Sequence, residues 1–245
     1  MIPTNSQVPV ILGSRSPQRR ALLEQLLPSP RLILCPPECP DEATFDGFHR
    51  WDDISQRLRE IVRRKAADVQ RQLARRGGQP QPGWILTADT AIIVCPSPPK
   101  DSDELPANRD KPPRWPWNCL EGLLVLGQPP ETTNWRRVVR EWFLRYYAGR
   151  PHVVATCVRW EAWNLSTAPS PQEEILTTVV WMRSDVEIWL DTYLQTQEPI
   201  GKAGGYALQG LASVFVEKVE GSLTNVIGLP VEWVWQQLIR SGVLS

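Results

Sequence analysis

Apolar and polar positions alternate along this chain with two periods, one typical of strands and the other of helices. Short apolar runs predict strands at residues 9–12, 84–94, 122–130, 152–163 and 174–184. Apolar positions at helical spacing predict helices that begin after Ser16, cover residues 52–76, lie near 132–147, begin at Asp185 and cover 231–242. Because the two kinds of element alternate irregularly, the sequence predicts an α/β fold with a mixed, twisted sheet flanked by helices.

One predicted strand carries a charge inside an apolar run. Asp89 and Thr90 lie within residues 84–94, where we expect them to interrupt the strand. A carboxylate in a buried run is costly unless it is paired or binds a metal. Asp89 is therefore a candidate functional residue. The alternative is a strand-end aspartate that caps a turn.

The turn between the first strand and the first helix is rich in hydroxyl and guanidinium groups. Ser16 is a favourable N-cap, and Pro17 occupies the first helical position, where its missing N–H does no harm. Arg19 and Arg20 follow in the first turn. A helix N-terminus with free amides and arginines suits a phosphate group. The alternative is a capped surface helix with solvated arginines.

Residues 201–230 form a glycine-rich segment that contains Lys202, Gln209 and Asn225 and closes on Pro230. Glycine is rarely clustered unless the chain turns tightly or approaches another group closely. A cation, amides and exposed backbone N–H groups together suit an anionic ligand with a flat polar edge. The segment is therefore a candidate binding loop for such a ligand, of which a nucleotide is one example.

Length and charge limit the classes of protein. The 245 residues can form one large α/β domain or two small lobes. Lys and Arg number 27 and so do Asp and Glu, so no net field draws the chain to nucleic acid or to a membrane, and we expect neither as a partner. The sequence shows no leader and no long apolar run, which predicts a cytoplasmic protein.

The five cysteines are irregularly spaced, as is typical of reduced thiols in a cytosolic protein. Cys35 and Cys39 could form half of a metal site, but no second pair follows at ligand spacing. The two histidines, at 49 and 152, are expected to be structural. A proline-rich tract at about 96–120 predicts a long surface loop.

Several motifs occur in an order that resembles the Maf family of nucleoside triphosphate pyrophosphatases. They are SRSPQRRALLEQL (14–26), RKA (64–66), TADT (87–90), VLGQPP (125–130), GRPHVVATCV (149–158), KAGGYALQG (202–210) and VEGSLTNVIGLP (219–230). Each motif is weak, but the ordered set is specific. The similarity covers nearly the whole chain and predicts a single domain over residues 1–245, with the proline-rich tract as an insertion. An unrelated α/β domain with chance matches is the alternative.

The resemblance implies two lobes around a central cleft and hydrolysis of a nucleoside triphosphate to the monophosphate and pyrophosphate with a divalent metal, Mg²⁺ or Mn²⁺. It assigns catalysis to Asp89 and metal binding to Glu42 and Asp89. By the same resemblance, substrate phosphates would be bound by Ser14, Ser16, Arg19, Lys65 and Lys202. It also implies a possible homodimer.

The resemblance places base specificity at Gln18, Thr90 and Gln209, and the last two match the family branch that favours dTTP and UTP. A glutamine amide complements the O4/N3–H edge of uracil or thymine; other pyrimidine or modified nucleotides stay open. Gln18 and Gln128 depart from the family, which has basic residues there. A nucleotide-binding protein with little turnover, acting in cell division, is the alternative function.

Overall fold

The computed structural model describes residues 8–27, 30–38, 44–75, 81–97, 115–117, 120–165 and 169–244. The strands are β1 (Val10–Gly13), β2 (Leu32–Leu34), β3 (Gly83–Val94), β4 (Leu124–Leu126), β5 (Pro151–Trp163), β6 (Gln172–Met182) and β7 (Val216–Glu220). The helices are α1 (Pro17–Leu26), α2 (Trp51–Arg75), α3 (Trp135–Trp142), α4 (Glu187–Gln195), α5 (Leu223–Ile227) and α6 (Val231–Arg240).

All seven strands belong to one mixed sheet, as predicted. Its order is β2-β1-β3-β5-β6-β7, and β4 also pairs with β3. β1 runs parallel to β2 and β3, whereas the other pairings are antiparallel. Helices flank the sheet, so the α/β class predicted from the sequence is confirmed.

One edge of β3 is shared by two partner strands. β1 pairs with the first part of β3, where Gly13 lies opposite Thr87. β4 pairs with its last part, beginning where Leu126 lies opposite Ile92. Residues 88–91 lie between these two pairings, so their edge faces a gap between the end of β1 and the end of β4. This gap positions the candidate site.

Helices cover both faces of the sheet, and the helices on one face form two separate cores. Trp84, Leu86 and Ala88 pack in a core with residues of α1 and α6, whereas Ile92 and Val94 pack in a second core with residues of α3 and α4. These side chains share one face because alternate residues of a strand point the same way. The two cores leave Thr90 between them, and α2 covers the opposite face. The fold therefore has a helical group on each side of a central gap.

The structure corrects several boundaries. β3 is continuous from Gly83 to Val94, so Asp89 and Thr90 do not interrupt it. The glycine-rich segment contains β7 and α5 in addition to turns. The helix expected near 132–147 is the α-helix α3, followed by a π-helical turn over Phe143–Tyr147.

Part of the proline-rich tract lies outside the described residues. At its described end Trp117 is buried, and Trp115 and Trp117 pack in a core with Trp51 of α2. This end of the tract is therefore not the surface loop that the sequence predicted. In the described part of the chain, no helix combines the length and the apolar character needed to cross a bilayer.

Candidate active site

A cleft with a volume of about 810 Å³ opens at the gap in the β3 edge. Three segments form most of its wall: the turn after β1, the centre of β3, and the glycine-rich loop after α4. The sequence-predicted residues that line it are Ser14, Ser16, Gln18, Arg19, Lys65, Asp89, Thr90, Lys202 and Gln209. Glu42 lies outside the described residues. Residues far apart in sequence therefore meet at one concave site.

Lys65 and Asp89 form an ion pair inside the cleft. The Lys65 Nζ lies 2.5 Å from Asp89 Oδ1 and also donates to the Ala88 carbonyl at 3.3 Å. Both side chains are about a quarter exposed, at 26% and 21%. α2 supplies the lysine from one face of the sheet, and the unpaired edge of β3 supplies the carboxylate. This pair orients one carboxylate oxygen and leaves the group open to the cleft.

The turn after β1 forms as the sequence predicted. Ser16 caps α1 by accepting a hydrogen bond from the Arg19 N–H at 3.3 Å, and Pro17 begins the helix. The Ser16 N–H donates to Ser14 Oγ at 3.1 Å, and Ser16 Oγ donates to Gln18 Oε1 at 3.1 Å. The hydroxyl groups of both serines are thereby fixed at the wall of the cleft.

Arg19 is a buried cation whose acceptors are all neutral. Its Nε donates to the Gly228 carbonyl at 2.7 Å, Nη1 to Ser14 Oγ at 3.3 Å, and Nη2 to Thr90 Oγ1 at 3.0 Å. Burial lowers the pKa of Arg19, and the negative charge of Asp89 acts in the opposite direction. A guanidinium has five N–H donors, so these bonds leave donors for an anion in the cleft.

Thr90 belongs to an internal network. Besides accepting from Arg19, its hydroxyl lies 3.0 Å from Thr156 Oγ1, and Thr156 donates to the Asn225 carbonyl at 3.4 Å. A hydroxyl has one donor and two acceptor positions. The Thr90 hydroxyl therefore holds Arg19 in place and has one acceptor position left for a ligand.

The loop that carries Lys202 and Gln209 is fixed by buried tyrosines. Tyr147 donates to the Gly204 carbonyl and Tyr193 to the Gly205 carbonyl, both at 2.9 Å. At Gly204 φ is +70°, and a Cβ there would lie 2.5 Å from the Tyr147 hydroxyl. Glycine is required at this position because both the backbone conformation and the close approach exclude a side chain.

On either side of the two glycines that the tyrosines hold, the loop presents polar side chains to the cleft. Gln209 is exposed in a turn in which the Gly210 N–H donates to the Ala207 carbonyl at 3.0 Å. Within the described residues, the Lys202 ammonium and the Gln209 amide make no hydrogen bond or ion pair. Both groups are therefore available to a ligand.

Asn225 has a different role from the one that its place in the glycine-rich segment suggested. Its side chain is fully buried, and Nδ2 donates to the carbonyls of Val154 and Leu176 and to Thr178 Oγ1. It fastens α5 to the sheet and does not face the cleft. Ser222 caps α5 and Gly228 ends it, and this cap pattern was the available signal for a helix.

Several cleft residues were not identified from the sequence. Asp46 adds a second carboxylate to the wall, and Trp142 and Tyr206 give it an apolar side. The Gly228 carbonyl holds Arg19. Tyr206 and Gly228 lie within quoted motifs, but their contacts are created by tertiary packing and leave no local signal of these roles.

The donors present suit a magnesium-type cation only in part. Within the described residues, no group of three His, Cys, Asp or Glu side chains converges as a ready-made metal site. Mg²⁺ commonly uses one or two carboxylates together with substrate phosphates and water. Asp89, which keeps one oxygen free of Lys65, fits that mode in an open cleft lined by hydroxyls.

The parallel strand β1 ends in a serine-rich turn and a capped helix, beside a cleft with a buried arginine, and this arrangement is typical of α/β proteins that bind anions. Residues 9–241 match the family described as Maf-like protein. The chain belongs to the Maf family.

Similar proteins cover nearly the same length. A protein named dTTP/UTP pyrophosphatase from Anaeromyxobacter dehalogenans is 31% identical over 95% of this chain and 94% of its own length. Another with that name, from Thermus thermophilus, is 31% identical over 96% of this chain and 95% of its own. A third, from Methanosarcina barkeri, is 27% identical over 96% and 94%.

Proposed function

We propose that this protein is a nucleoside triphosphate pyrophosphatase that cleaves the α–β phosphoanhydride bond and releases a nucleoside monophosphate and pyrophosphate. The observation that carries the proposal is the Lys65–Asp89 pair, which faces the same cleft as the Ser14–Arg19 turn. The similarity to proteins named dTTP/UTP pyrophosphatase supports it. The substrate class is a pyrimidine triphosphate, with dTTP and UTP as the first candidates.

Asp89 is the candidate catalytic carboxylate. Hydrolysis needs a water molecule directed at the α-phosphorus and a group that accepts its proton. Asp89 has one oxygen bound to Lys65, so its other oxygen can accept a proton or bind a cation. A bound Mg²⁺ or Mn²⁺ would neutralise phosphate charge, and Asp89, with Glu42 by resemblance, would hold it.

Cations and hydroxyl groups of the cleft bind the triphosphate. Phosphoryl transfer spreads negative charge over the phosphoryl oxygens, so catalysis depends mainly on positioned donors. Arg19 is held by three neutral acceptors, which leaves its positive charge uncompensated by a direct ion pair. The Ser14 hydroxyl and the Lys202 ammonium add donors along the same wall, and the Ser16 N–H, which donates to Ser14 Oγ, keeps that hydroxyl in place. Lys65 neutralises Asp89 until a phosphate competes for its ammonium.

Gln209 is the candidate residue for recognition of the base. Its amide offers one acceptor and two donors, which match the O4 and N3–H of uracil or thymine. It has no partner in the described part of the chain, whereas the Thr90 hydroxyl already bonds Arg19 and Thr156 and has a single acceptor position left, which cannot bind both O4 and N3–H. Gln209 is therefore the first candidate for direct contact with the base, and Gln18 is a lesser candidate because Ser16 occupies its Oε1.

We place this activity in the cytoplasm.

The experiment is a panel of nucleoside triphosphates with Mg²⁺ or Mn²⁺, scored for pyrophosphate. We expect release with dTTP and UTP and its loss in Asp89→Asn, with the thermal midpoint kept. Asp53→Asn is the matched control, because Asp53 is an exposed aspartate outside the cleft. Release that survives Asp89→Asn would contradict the assignment. Tight nucleotide binding without release would favour the alternative of a nucleotide-binding protein.

A further inference from the structure

We propose that Glu198 is a positioning residue that holds the Gln209 turn in the cleft, an inference that rests on the proposed function. Glu198 follows α4 and is half-buried. Its Oε2 accepts from the Leu211 N–H at 2.7 Å, and its Oε1 accepts from the Ala212 N–H at 3.1 Å. These charge-assisted bonds to two successive amides fix the backbone that begins two residues after Gln209.

Gly210 is the counterpart of this carboxylate. A Cβ at Gly210 would overlap the Glu198 carboxyl carbon and both of its oxygens. The φ of Gly210 is −109°, which any residue can adopt. Glycine is therefore required here by the closeness of the carboxylate and not by the backbone conformation. The Glu198 side chain and the Gln209 turn fit each other as one unit.

The other end of the loop has its own anchors. The Gly204 N–H donates to the Gly127 carbonyl at 2.9 Å, and the hydroxyls of Tyr147 and Tyr193 bind the next carbonyls. Burial raises the pKa of the Tyr193 hydroxyl, and the negative charge of Glu198 raises it further. Gln209 lies between the tyrosine anchor and the Glu198 anchor.

Loss of the Glu198 anchor should affect substrate binding more than the chemical step. The Gln209 amide makes no bond of its own in the described residues, so its position depends on the backbone that carries it. A loop that samples several positions must be ordered when the base binds, which weakens binding. The Lys65–Asp89 pair lies on other elements and keeps its geometry. The substrate complex and the transition state should lose the same amount of binding energy. KM therefore rises, and kcat stays unchanged.

The first test compares steady-state kinetics of Glu198→Ala, Glu198→Gln and the wild type. We expect Glu198→Ala to raise KM for the preferred nucleotide about tenfold and to reduce discrimination between bases, with kcat within about twofold. Glu198→Gln should give a smaller rise, because one amide oxygen can still accept from one N–H. Glu187→Gln, at an exposed position of α4, is the control and should match the wild type.

The second test is a double-mutant cycle with Gly210. Gly210→Ala should force the carboxylate away and raise KM on its own. In the Glu198→Ala background the methyl group has space, so Gly210→Ala should add little. Contacting residues give such non-additivity, whereas independent effects add. Additive effects would overturn the pairing of Glu198 with Gly210.

Failure of this inference is distinguishable from failure of the proposed function. If the wild type releases no pyrophosphate, the proposed function fails, and the variants are then compared by their affinity for an α,β-methylene nucleotide. Unchanged KM or affinity in Glu198→Ala, or a loss confined to kcat, would overturn the positioning role. Should Glu198→Ala not fold, Glu198→Gln and Gly210→Ala carry the test, with amide exchange at residues 211–212 as the second readout.

Discussion

The Lys65 ammonium lies 2.5 Å from Asp89 Oδ1, which joins α2 to the unpaired edge of β3 across 24 positions of sequence. The same Asp89 acts electrostatically on Arg19, which is anchored at the other wall of the cleft. The carboxylate therefore lies between two cations that have different surroundings. Lys65 is partly exposed and pairs directly with the carboxylate, whereas Arg19 is buried and held by three neutral acceptors.

Removal of the Lys65 ammonium should impair turnover more than folding. We expect Lys65→Ala to lower kcat about a hundredfold, because one positioned cation at the phosphoryl group is lost and Asp89 loses its orienting partner. The pair is partly solvated, so its loss should lower the free energy of unfolding by less than about 1 kcal/mol. The measurements are pyrophosphate release and urea denaturation.

Lys218→Ala is the control for this prediction, since Lys218 forms an exposed ion pair with Glu220 on β7, away from the cleft. Lys65→Ala combined with Asp89→Asn should lose less activity than the product of the two single losses, because part of the Lys65 effect acts through Asp89. Fully additive losses would show that the two side chains act separately.

The sequence predicted those parts of the site that depend on local chemistry. Ser16 and Pro17 mark the start of α1, and the structure has the cap and the helix there. The charged helix at 52–76 is α2 within one residue at each end. Both features follow from caps and periodicity, which act over a few residues.

Features that depend on distant segments were not predictable. Asp89 suggested a break in β3, but the strand continues, because the gap between β1 and β4 gives that carboxylate access to solvent and to Lys65. Glu198 and Tyr193 gave no signal, because their roles depend on a backbone approach created by the fold. Asn225 suggested ligand binding through its surroundings, but it is buried.

Thr90→Val tests whether Thr90 serves Arg19 or the base. Valine keeps the shape but removes the acceptor for Arg19 Nη2 and the bond to Thr156. A buried charged donor that loses its partner costs about 1–3 kcal/mol, so we expect a drop of that order in the free energy of unfolding. All nucleotides should lose kcat/KM to a similar degree.

Thr90→Ser retains the hydroxyl and should behave nearly as the wild type in both measurements. The decisive comparison is the ratio of kcat/KM for UTP to that for other triphosphates. A change confined to this ratio, with stability intact, would assign Thr90 to the base and contradict the role of holding Arg19.

Gln128→Lys should increase activity. Gln128 lies exposed at the wall of the cleft, next to the Gly127 carbonyl that anchors Gly204. A lysine there adds a charge-assisted phosphate contact worth about 1.5–3 kcal/mol, which corresponds to about one to two decades in kcat/KM if the transition state makes it. The gain should shrink with added salt, because exposed charges are screened.

Gln195→Lys makes the same change of charge at an exposed position outside the cleft and should leave kcat/KM unaltered. An equal gain in both variants would point to general electrostatic attraction of the nucleotide. No gain in Gln128→Lys would show that the phosphate groups make no contact with residue 128 in the transition state.

His152 should make the protein sensitive to acid. Burial lowers the pKa of His152 from its ordinary value to about 3, its Nε2 lies 2.7 Å from the Tyr206 hydroxyl, and its Nδ1 has no partner within the described residues. Its folded pKa is below the unfolded value of about 6.5, so the unfolded chain binds the extra proton. Stability is therefore lost as the pH falls below 6.5, by up to about 1.4 kcal/mol per pH unit, until the pH approaches the folded pKa.

Urea denaturation of the wild type and His152→Gln at pH 7.5, 6.0 and 5.0 measures this contribution. Carboxylates titrate in both proteins, so the difference between their plots of unfolding free energy against pH isolates His152. The variant should lose less free energy of unfolding between pH 6.0 and 5.0. His49→Gln removes the other histidine and leaves His152 in place, so the steep loss should persist in it. Parallel slopes for wild type and His152→Gln would mean that the imidazole becomes protonated without leaving its place against Tyr147 and Tyr206.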